Sequence, residues 1–294
     1  MAYVALITGA SSGIGEAVAR RLASEPDVQL ILVARREDRL AALADELGND
    51  HALIYPADLT DVHAPAAIAG LVEQRFGALN LLVNNAGARW SIDFADGGWA
   101  NVEQHMLVNF EAPVRLVEAL LPLMRRTAAA AGAVAGRAGG SESGGDAQTG
   151  QPATFAGRPL KAPVAIVNVT STAARIARLG TGGYSASKNA LAAWSDSLYL
   201  EERIHGVHVG NVLPGFISTE GFPQAELRAR TLTRALVSEP GIVAEAILEA
   251  GPGGRPERYV PRYYWVAALL RLIAPDLVRR WASSDVVSTN TKSA

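Results

Sequence analysis

The sequence predicts an α/β fold: a doubly wound, mostly parallel seven-stranded sheet with helices on both faces, built as a single domain. Three observations carry this expectation. Short β-branched or Leu-rich runs alternate with longer Ala-rich segments of helical spacing, which is the pattern of repeated βαβ units. The runs are apolar on both faces, so each strand must be covered from two sides, as in a parallel sheet between helical layers. At 294 residues and 49% hydrophobic, the chain is long enough to bury such a sheet around one core.

Taken in order, the first strand is Val4 to Ile7, and it runs into the glycine-rich turn Thr8 to Gly15 and a helix from Glu16 to Ala23. Strands follow at Gln29 to Val33, Ala52 to Tyr55, Leu79 to Val83, Val164 to Val169 and Val207 to Leu213, with a seventh at Arg258 to Val260. One segment breaks the rhythm. Between a helix expected to end near Arg126 and the strand at Val164, residues Thr127 to Pro163 hold eight Gly and eleven Ala, with Val134, Phe155 and Leu160 as the larger apolar residues. So little apolar surface does not offset the entropy of ordering, and 127–163 is read as a low-complexity, flexible insertion within a domain spanning 1–282. Residues 215–282 form a substrate-loop and C-terminal helical region, and 283–294 a polar tail.

Composition narrows the function. A net charge of −2 and a pI near 6.2 supply no basic field for nucleic acid, and none is expected as a partner. Without cysteine there are no disulfides, thiolate nucleophiles or Cys metal sites, and a cytoplasmic protein is expected. The five histidines are scattered, only His205 and His208 are close, and no metal site is expected. The apolar run Tyr3 to Ile7 stops at a glycine turn and reads as a strand rather than a signal peptide. The stretch Tyr263 to Ala274 is interrupted by Arg271 and is short for a span. With Trp265, Leu269 and Leu272 beside Arg271, Arg279 and Arg280, it could touch a membrane surface, but such a stripe more often covers a pocket or a subunit contact.

Three local patterns carry chemistry. Glycines between a strand and a helix let backbone N–H groups approach a pyrophosphate at the helix N-terminus, where unpaired donors and the helix dipole favour anions. After the second strand, where dinucleotide folds place the group that meets the adenosine ribose, stand Arg35 and Arg36, with no acid before Glu37. Guanidinium forks there suit a 2′-phosphate, so NADP(H) is expected over NAD(H). Tyr184 and Lys188, four apart on one helix face, pair a phenol with an ammonium able to stabilise its phenolate. Lys188 is one of only three lysines beside 24 arginines, which hints that the ammonium itself was required.

From Val4 to about Thr219, the insertion excepted, these patterns resemble the short-chain dehydrogenase/reductase family. Thr8 to Gly15 matches its T-G-x-x-x-G-x-G turn, Asn84-Asn85-Ala86-Gly87 its N-N-A-G, and Tyr184 with Lys188 its Y-x-x-x-K. Asp58, Asn109, Ser171 thirteen residues before the tyrosine, and Pro214-Gly215 with Thr219 match further positions. The resemblance implies a Rossmann-like fold and an oxidoreductase interconverting an alcohol and a ketone or aldehyde. Tyr184 would be the acid/base, and Ser171 would orient the substrate oxygen. Lys188 would bind the nicotinamide ribose and lower the Tyr184 pKa, while Asn109 would hold a water between Lys188 and solvent.

The same resemblance implies cofactor contacts. Gly9, Ser11, Ser12, Gly13, Ile14 and Gly15 would cradle the pyrophosphate, with Arg35 and Arg36 at the ribose end. Asp58 and Leu59 would border the adenine, and Asn85, Ala86, Gly87, Pro214, Gly215, Ile217 and Thr219 would follow the cofactor toward Tyr184 and Lys188. Many NADP-using members carry a basic residue inside the glycine turn. Position 12 is Ser here, so Arg35 and Arg36 must carry the preference. The segments that would ring the nicotinamide hold Trp90, Phe94, Ile176, Leu179, Phe216 and Phe222, which favours a bulky apolar substrate. Arg89, Arg175 and Arg178 in the same segments could instead hold a carboxylate or phosphate. A homodimer or homotetramer, paired through the helices near Asn101 and Tyr184, is expected by resemblance. The rival is a non-catalytic NADP-binding regulatory protein on the same fold. A sugar-nucleotide epimerase or dehydratase ranks lower because its glycine spacing differs.

Overall fold

The computed structural model describes residues 2–48, 50–138, 154–155, 157–220 and 237–283. Alternation begins with β1 (Tyr3–Thr8), α1 (Gly13–Ala23), β2 (Val28–Ala34), α2 (Glu37–Leu47), β3 (Ala52–Pro56), α3 (Ala64–Phe76) and β4 (Leu81–Asn84). It continues through α4 (Phe94–Met106), a π-helical turn (Leu107–Glu111), α5 (Ala112–Ala138), the two-residue strands β5 (Thr154–Phe155) and β6 (Arg158–Pro159), and β7 (Ala165–Val169). After a 3₁₀ turn at Thr172–Ala174 come α6 (Gly182–Glu202), β8 (His208–Pro214), β9 (Phe216–Ile217), β10 (Val237–Ser238), α7 (Pro240–Ala250), β11 (Glu257–Val260), α8 (Tyr264–Ile273) and α9 (Pro275–Ala282).

Seven strands form the main sheet in the order β3-β2-β1-β4-β7-β8-β11. Every ladder in it is parallel, as expected of a doubly wound seven-stranded sheet. Because successive side chains of a strand point to opposite faces, each strand feeds two cores. Ala5 and Ile7 of β1 pack with Val18 and Leu22 of α1, Leu40 of α2 and Ile247 of α7. Val4 and Leu6 pack on the other face with Ile68 of α3, Leu116, Leu120 and Met124 of α5, and Leu198 of α6. The chain winds from β1 outward to β3, then returns past β1 to β4. That reversal opens a crevice at the C-terminal ends of β1 and β4, where doubly wound sheets bind ligands.

The edges of the insertion depart from expectation. The helix expected to end near Arg126 runs to Ala138. A buried polar tie holds the helix at the point expected for its end: Thr127 Oγ1 accepts from Leu79 N at 3.1 Å and donates to Leu123 O at 2.9 Å, so α5 is fixed to the segment before β4 at the residue after Arg126. At the far edge Phe155 lies 4.1 Å from the Tyr3 ring, and Arg158 reaches Glu245 Oε2 at 2.5 Å. Lys161 N and Ala162 N both donate to Pro252 O. Thr127, Phe155, Arg158, Lys161 and Ala162 are therefore tied to the domain. Residues 139–153 and 156 of the predicted insertion, Phe222, and 284–294 of the predicted tail lie outside the described residues.

Helix α8 has no buried residue, and Trp265 and Leu272 stand 53% and 80% exposed. Among the described residues no helix is long and apolar enough to cross a membrane.

Candidate active site

The glycine turn is held by the crevice it opens. Gly9 and Gly13 adopt φ of +66° and +61°, a left-handed conformation that favours glycine. A Cβ on Gly15 would stand 2.3 Å from Gly9 O, so α1 starts close against the turn. Thr8 Oγ1 accepts from Asn85 N at 3.0 Å and Ala86 N at 2.9 Å, and donates to Val83 O at 3.2 Å. Asn85 Nδ2 returns a bond to Thr8 O at 2.9 Å. The ends of β1 and β4 are thereby stitched at the switch point. Ser12 precedes α1 without a side-chain cap bond, which leaves the first-turn N–H groups to an incoming anion.

At one end of this crevice Arg36 folds back over the turn. Its Nη2 donates to Ser12 Oγ at 2.7 Å and Ser11 Oγ at 3.2 Å, so a guanidinium from the end of β2 stands where the turn itself carries no base. Arg35 points outward toward Asp58 at 3.9 Å and is 78% exposed. Asp58 accepts from Thr60 N and Oγ1, and those bonds hold its carboxyl below the usual range. Leu59 packs beside the apolar cluster under α3, and Ile14 on the other face. At the same end, a Cβ on Gly13 would meet Thr219 Cγ2 at 3.0 Å, and Glu220 reaches Arg36 at 3.5 Å and Arg39 at 2.6 Å. The segment carrying Pro214, Gly215, Ile217 and Thr219 therefore closes on the glycine turn.

The predicted reacting groups converge beyond Gly87. Ser171 Oγ accepts from Ala173 N at 3.1 Å, donates to Pro214 O at 3.4 Å, and is near enough to the Tyr184 hydroxyl to act on its pKa. Burial raises the Tyr184 pKa, while the Ser171 hydroxyl and the positive charges of Arg89 and Arg178 pull it down. The Lys188 ammonium is buried, donates to Val169 O at 2.9 Å, and has its pKa lowered to about 8 by burial. Ser171 and the two arginines thus act on the phenol, and Lys188 holds a strand carbonyl. A Cβ on Gly87 would stand 2.8 Å from Asn109 Oδ1 and 3.1 Å from Lys188 Nζ, which puts both around the exposed Gly87.

Asn109 lies in the π-helical turn between α4 and α5, where an extra residue re-aims a side chain. Its Oδ1 accepts from Ala88 N at 2.9 Å, and its Nδ2 donates to Ala88 O at 3.0 Å and Ser187 Oγ at 3.1 Å. Both amide hydrogens are used, so a water could meet this side chain only at a lone pair of Oδ1.

Three neighbours of Tyr184 were not singled out as reactive. His105, fully buried, sits with its ring 6.1 Å from that of Tyr184. It accepts from Trp90 N at Nε2 (3.1 Å) and meets Asn101 O at Nδ1 (2.7 Å). A carbonyl only accepts, so the ring is the neutral Nδ1–H tautomer, and burial lowers its pKa accordingly. Its place four residues before Asn109 was the one sequence signal available. Arg89 and Arg178 come from separate segments joined by Ile92 N to Gly180 O at 3.1 Å. Arg175, named with them, turns away to Glu257 at 2.9 Å.

Among the described residues no group of three or more His, Asp or Glu is placed to hold a metal ion.

Comparison with known proteins agrees with this fold. The family model "short chain dehydrogenase" matches residues 3–139 and 161–228, omitting the middle of the insertion. A ketoacyl reductase of Nostoc is 27% identical over 98% of this chain and 91% of its own. A fatty acyl-CoA reductase of Mycobacterium tuberculosis is 41% identical over 40% of this chain, a match spanning 42% of that protein. A crystal structure of a short-chain dehydrogenase from Streptomyces avermitilis superposes with a TM-score of 0.71 at 24% identity, covering 97% of this chain and 99% of that one. An alcohol dehydrogenase from Thermococcus sibiricus, complexed with 5-hydroxy-NADP, gives 0.67 at 23% identity over 88% and 96%.

Proposed function

The chain belongs to the short-chain dehydrogenase/reductase family, whose members are oxidoreductases, and from that premise we propose an NADP(H)-dependent enzyme that interconverts an alcohol and a ketone or aldehyde of bulky apolar body. The observation that carries the reading is the convergence of Lys188 and Asn109 around Gly87, with Ser171 close enough to Tyr184 to pull its pKa down. Nucleotide binding alone requires no phenol paired with a serine, which separates this reading from a regulatory protein. The nicotinamide, when bound, supplies or accepts the hydride.

This chain's residues then do the rest. Tyr184 donates a proton to the carbonyl oxygen in reduction and accepts it from the alcohol in oxidation. Ser171, fixed by Ala173 N, orients that oxygen through its hydroxyl. Lys188 has an ammonium with one carbonyl partner and donors to spare for ribose hydroxyls. Asn109 fixes the Ala88 backbone and so the floor around Gly87. The donor set fits a dinucleotide: an uncapped helix start, a glycine cradle and a guanidinium over its outer edge. Arg36, placed over Ser11 and Ser12, supports NADP(H) over NAD(H), and the NADP analogue in the Thermococcus enzyme is consistent with that choice.

The apolar substrate reading is supported by Trp90, Leu179 and Phe94, which stand 37%, 57% and 75% exposed on the segments flanking Tyr184. Trp99 on α4 and Leu200 on α6, both about two-thirds exposed (67% and 66%), support pairing of two or four copies through those helices.

One experiment tests the reading: NADPH oxidation against ketones of rising apolar size, in the parent enzyme and in Tyr184→Phe. The substitution should lower turnover by about 10²- to 10⁴-fold with NADPH affinity unchanged. The parent kcat/KM should climb by up to about fourfold per added methylene, the yield of roughly 0.8 kcal/mol of burial. Undiminished turnover in Tyr184→Phe overturns the acid/base assignment, and a flat series overturns the apolar pocket.

A further inference from the structure

We propose that Arg178 is the anchor of a carboxylate-binding subsite beside Tyr184, so that the substrate is an amphiphile: an apolar carbonyl or alcohol bearing a carboxylate. This deepens the oxidoreductase reading and rests on it for the identity of the site.

The placement is specific. Arg178 lies between the 3₁₀ turn that follows Ser171 and the start of α6, and its backbone is clamped: its N–H donates to Thr181 Oγ1 at 3.0 Å, and Thr181 Oγ1 donates to its carbonyl at 2.7 Å. The guanidinium carbon stands 4.5 Å from the centroid of Phe216, two residues after Pro214, whose carbonyl meets Ser171 Oγ. That stack fixes the plane of the fork. Stacking satisfies the face of a guanidinium and leaves its N–H edge to find acceptors. Here Nη1 is buried and, among the described residues, has no hydrogen-bond partner.

An unsatisfied charged donor in the interior is among the costliest defects a fold can carry, and it is retained where a ligand relieves it. The other buried arginines show what a structural role looks like. Arg175, three residues earlier, reaches Glu257, and Arg158 reaches Glu245. The groups acting on Arg178 are Arg89, Tyr184 and Tyr264, and none of them is a carboxylate. Burial and the like charge of Arg89 lower its pKa to about 10, so it remains a cation at neutral pH. A cation, a second cation across the joined segments and an apolar stack together favour a planar monoanion. A carboxylate matches the fork and costs less to desolvate than a doubly charged phosphate.

The test uses oxo-carboxylic acids with spacers of increasing length between carbonyl and carboxylate, each beside its methyl ester. For the parent enzyme, Arg178→Met and Arg178→Lys, kcat/KM is measured with NADPH, and binding of the same compounds to NADP⁺-loaded protein is measured by calorimetry. Met keeps the stem that packs on Phe216, and a melting curve reports its folding. At the favoured spacing the acid should exceed its ester by about tenfold or more, as a charged hydrogen bond supplies. That ratio should fall to about one in Arg178→Met and be largely restored in Arg178→Lys. A ratio near one in the parent at every spacing overturns the proposal. So does an unchanged ratio in Arg178→Met, because it reduces Arg178 to an effect on Tyr184 common to acid and ester. If no compound is turned over, calorimetry still decides: Arg178-dependent preference for acids upholds the subsite while the oxidoreductase reading fails, and equal binding rejects the subsite.

Discussion

Replacing Lys188 by Met should stabilise the cofactor-free protein near neutrality while removing its activity. The Lys188 ammonium is 4% exposed, and burial lowers its pKa from 10.5 to about 8. Between pH 8 and 10.5 the folded chain has released this proton while the unfolded chain keeps it. Stability must therefore rise with pH across that window, and the contribution present above pH 10.5 is lost as pH falls through 8. At 1.36 kcal/mol per pH unit the interval corresponds to a penalty of roughly 3 kcal/mol, fully in force at pH 7. Methionine abolishes it but strands the Val169 carbonyl, at a cost of about 1–2 kcal/mol. The expected net gain is about 1–2 kcal/mol at pH 7. Urea unfolding of both proteins from pH 7 to 10.5 measures this, and the difference between them isolates Lys188 because tyrosine titration is common to both. The parent should gain on the variant by about 3 kcal/mol over the window. Parallel curves would refute the claim that a buried charge is being held at a cost to stability for the sake of function.

Arg36→Ala should weaken NADPH by about tenfold and Arg35→Ala by about two- to threefold, because Arg36 is directed over Ser11 and Ser12 while Arg35 points into solvent; fluorescence titrations with NADPH and NADH check both, and an unchanged NADPH/NADH ratio in Arg36→Ala rejects it as the selector. Gly215→Ala places a methyl carbon 1.9 Å from Tyr264 Cε2, an overlap expected to cost about 1–3 kcal/mol. The cost should shrink in a Tyr264→Ala background, and strict additivity would show that the ring does not press on Gly215. Phe155→Ala should cost about 1–2 kcal/mol through lost contact with Tyr3, measured by denaturant midpoint, whereas a passive loop predicts no change.

Much of the molecule was legible before any coordinates. Val4 to Ile7 read as a strand because each of its side chains is buried in one of two cores, and a periodicity records burial directly. The glycine turn was legible because Gly9 and Gly13 need a conformation that other residues resist, which leaves a mark in residue type. Tyr184 and Lys188 were legible because one helix turn separates them. The end of α5 was not: the alanines beyond Arg126 favour a helix but bury little apolar surface, and the tie from Thr127 to Leu79 joins residues 48 apart in sequence.

The electrostatics of the site belong to the tertiary structure for the same reason. Sequence spacing put Lys188 next to Tyr184 and so assigned it the phenolate. The fold also bonds its ammonium to Val169 and brings Arg89 and Arg178 from two loops to act on the phenol. Nothing local distinguishes Arg175, which finds Glu257, from Arg178, which among the described residues finds no partner for Nη1, since both are arginines in one loop. Residue types and their spacing determined the fold class, the glycine turn and the placing of Tyr184 and Lys188 on one helix face, because those depend on backbone conformation and helical or strand period. Which charges meet, and which stay unanswered, is set by distances between segments far apart in the chain, and only the packed sheet and its crossovers decide them.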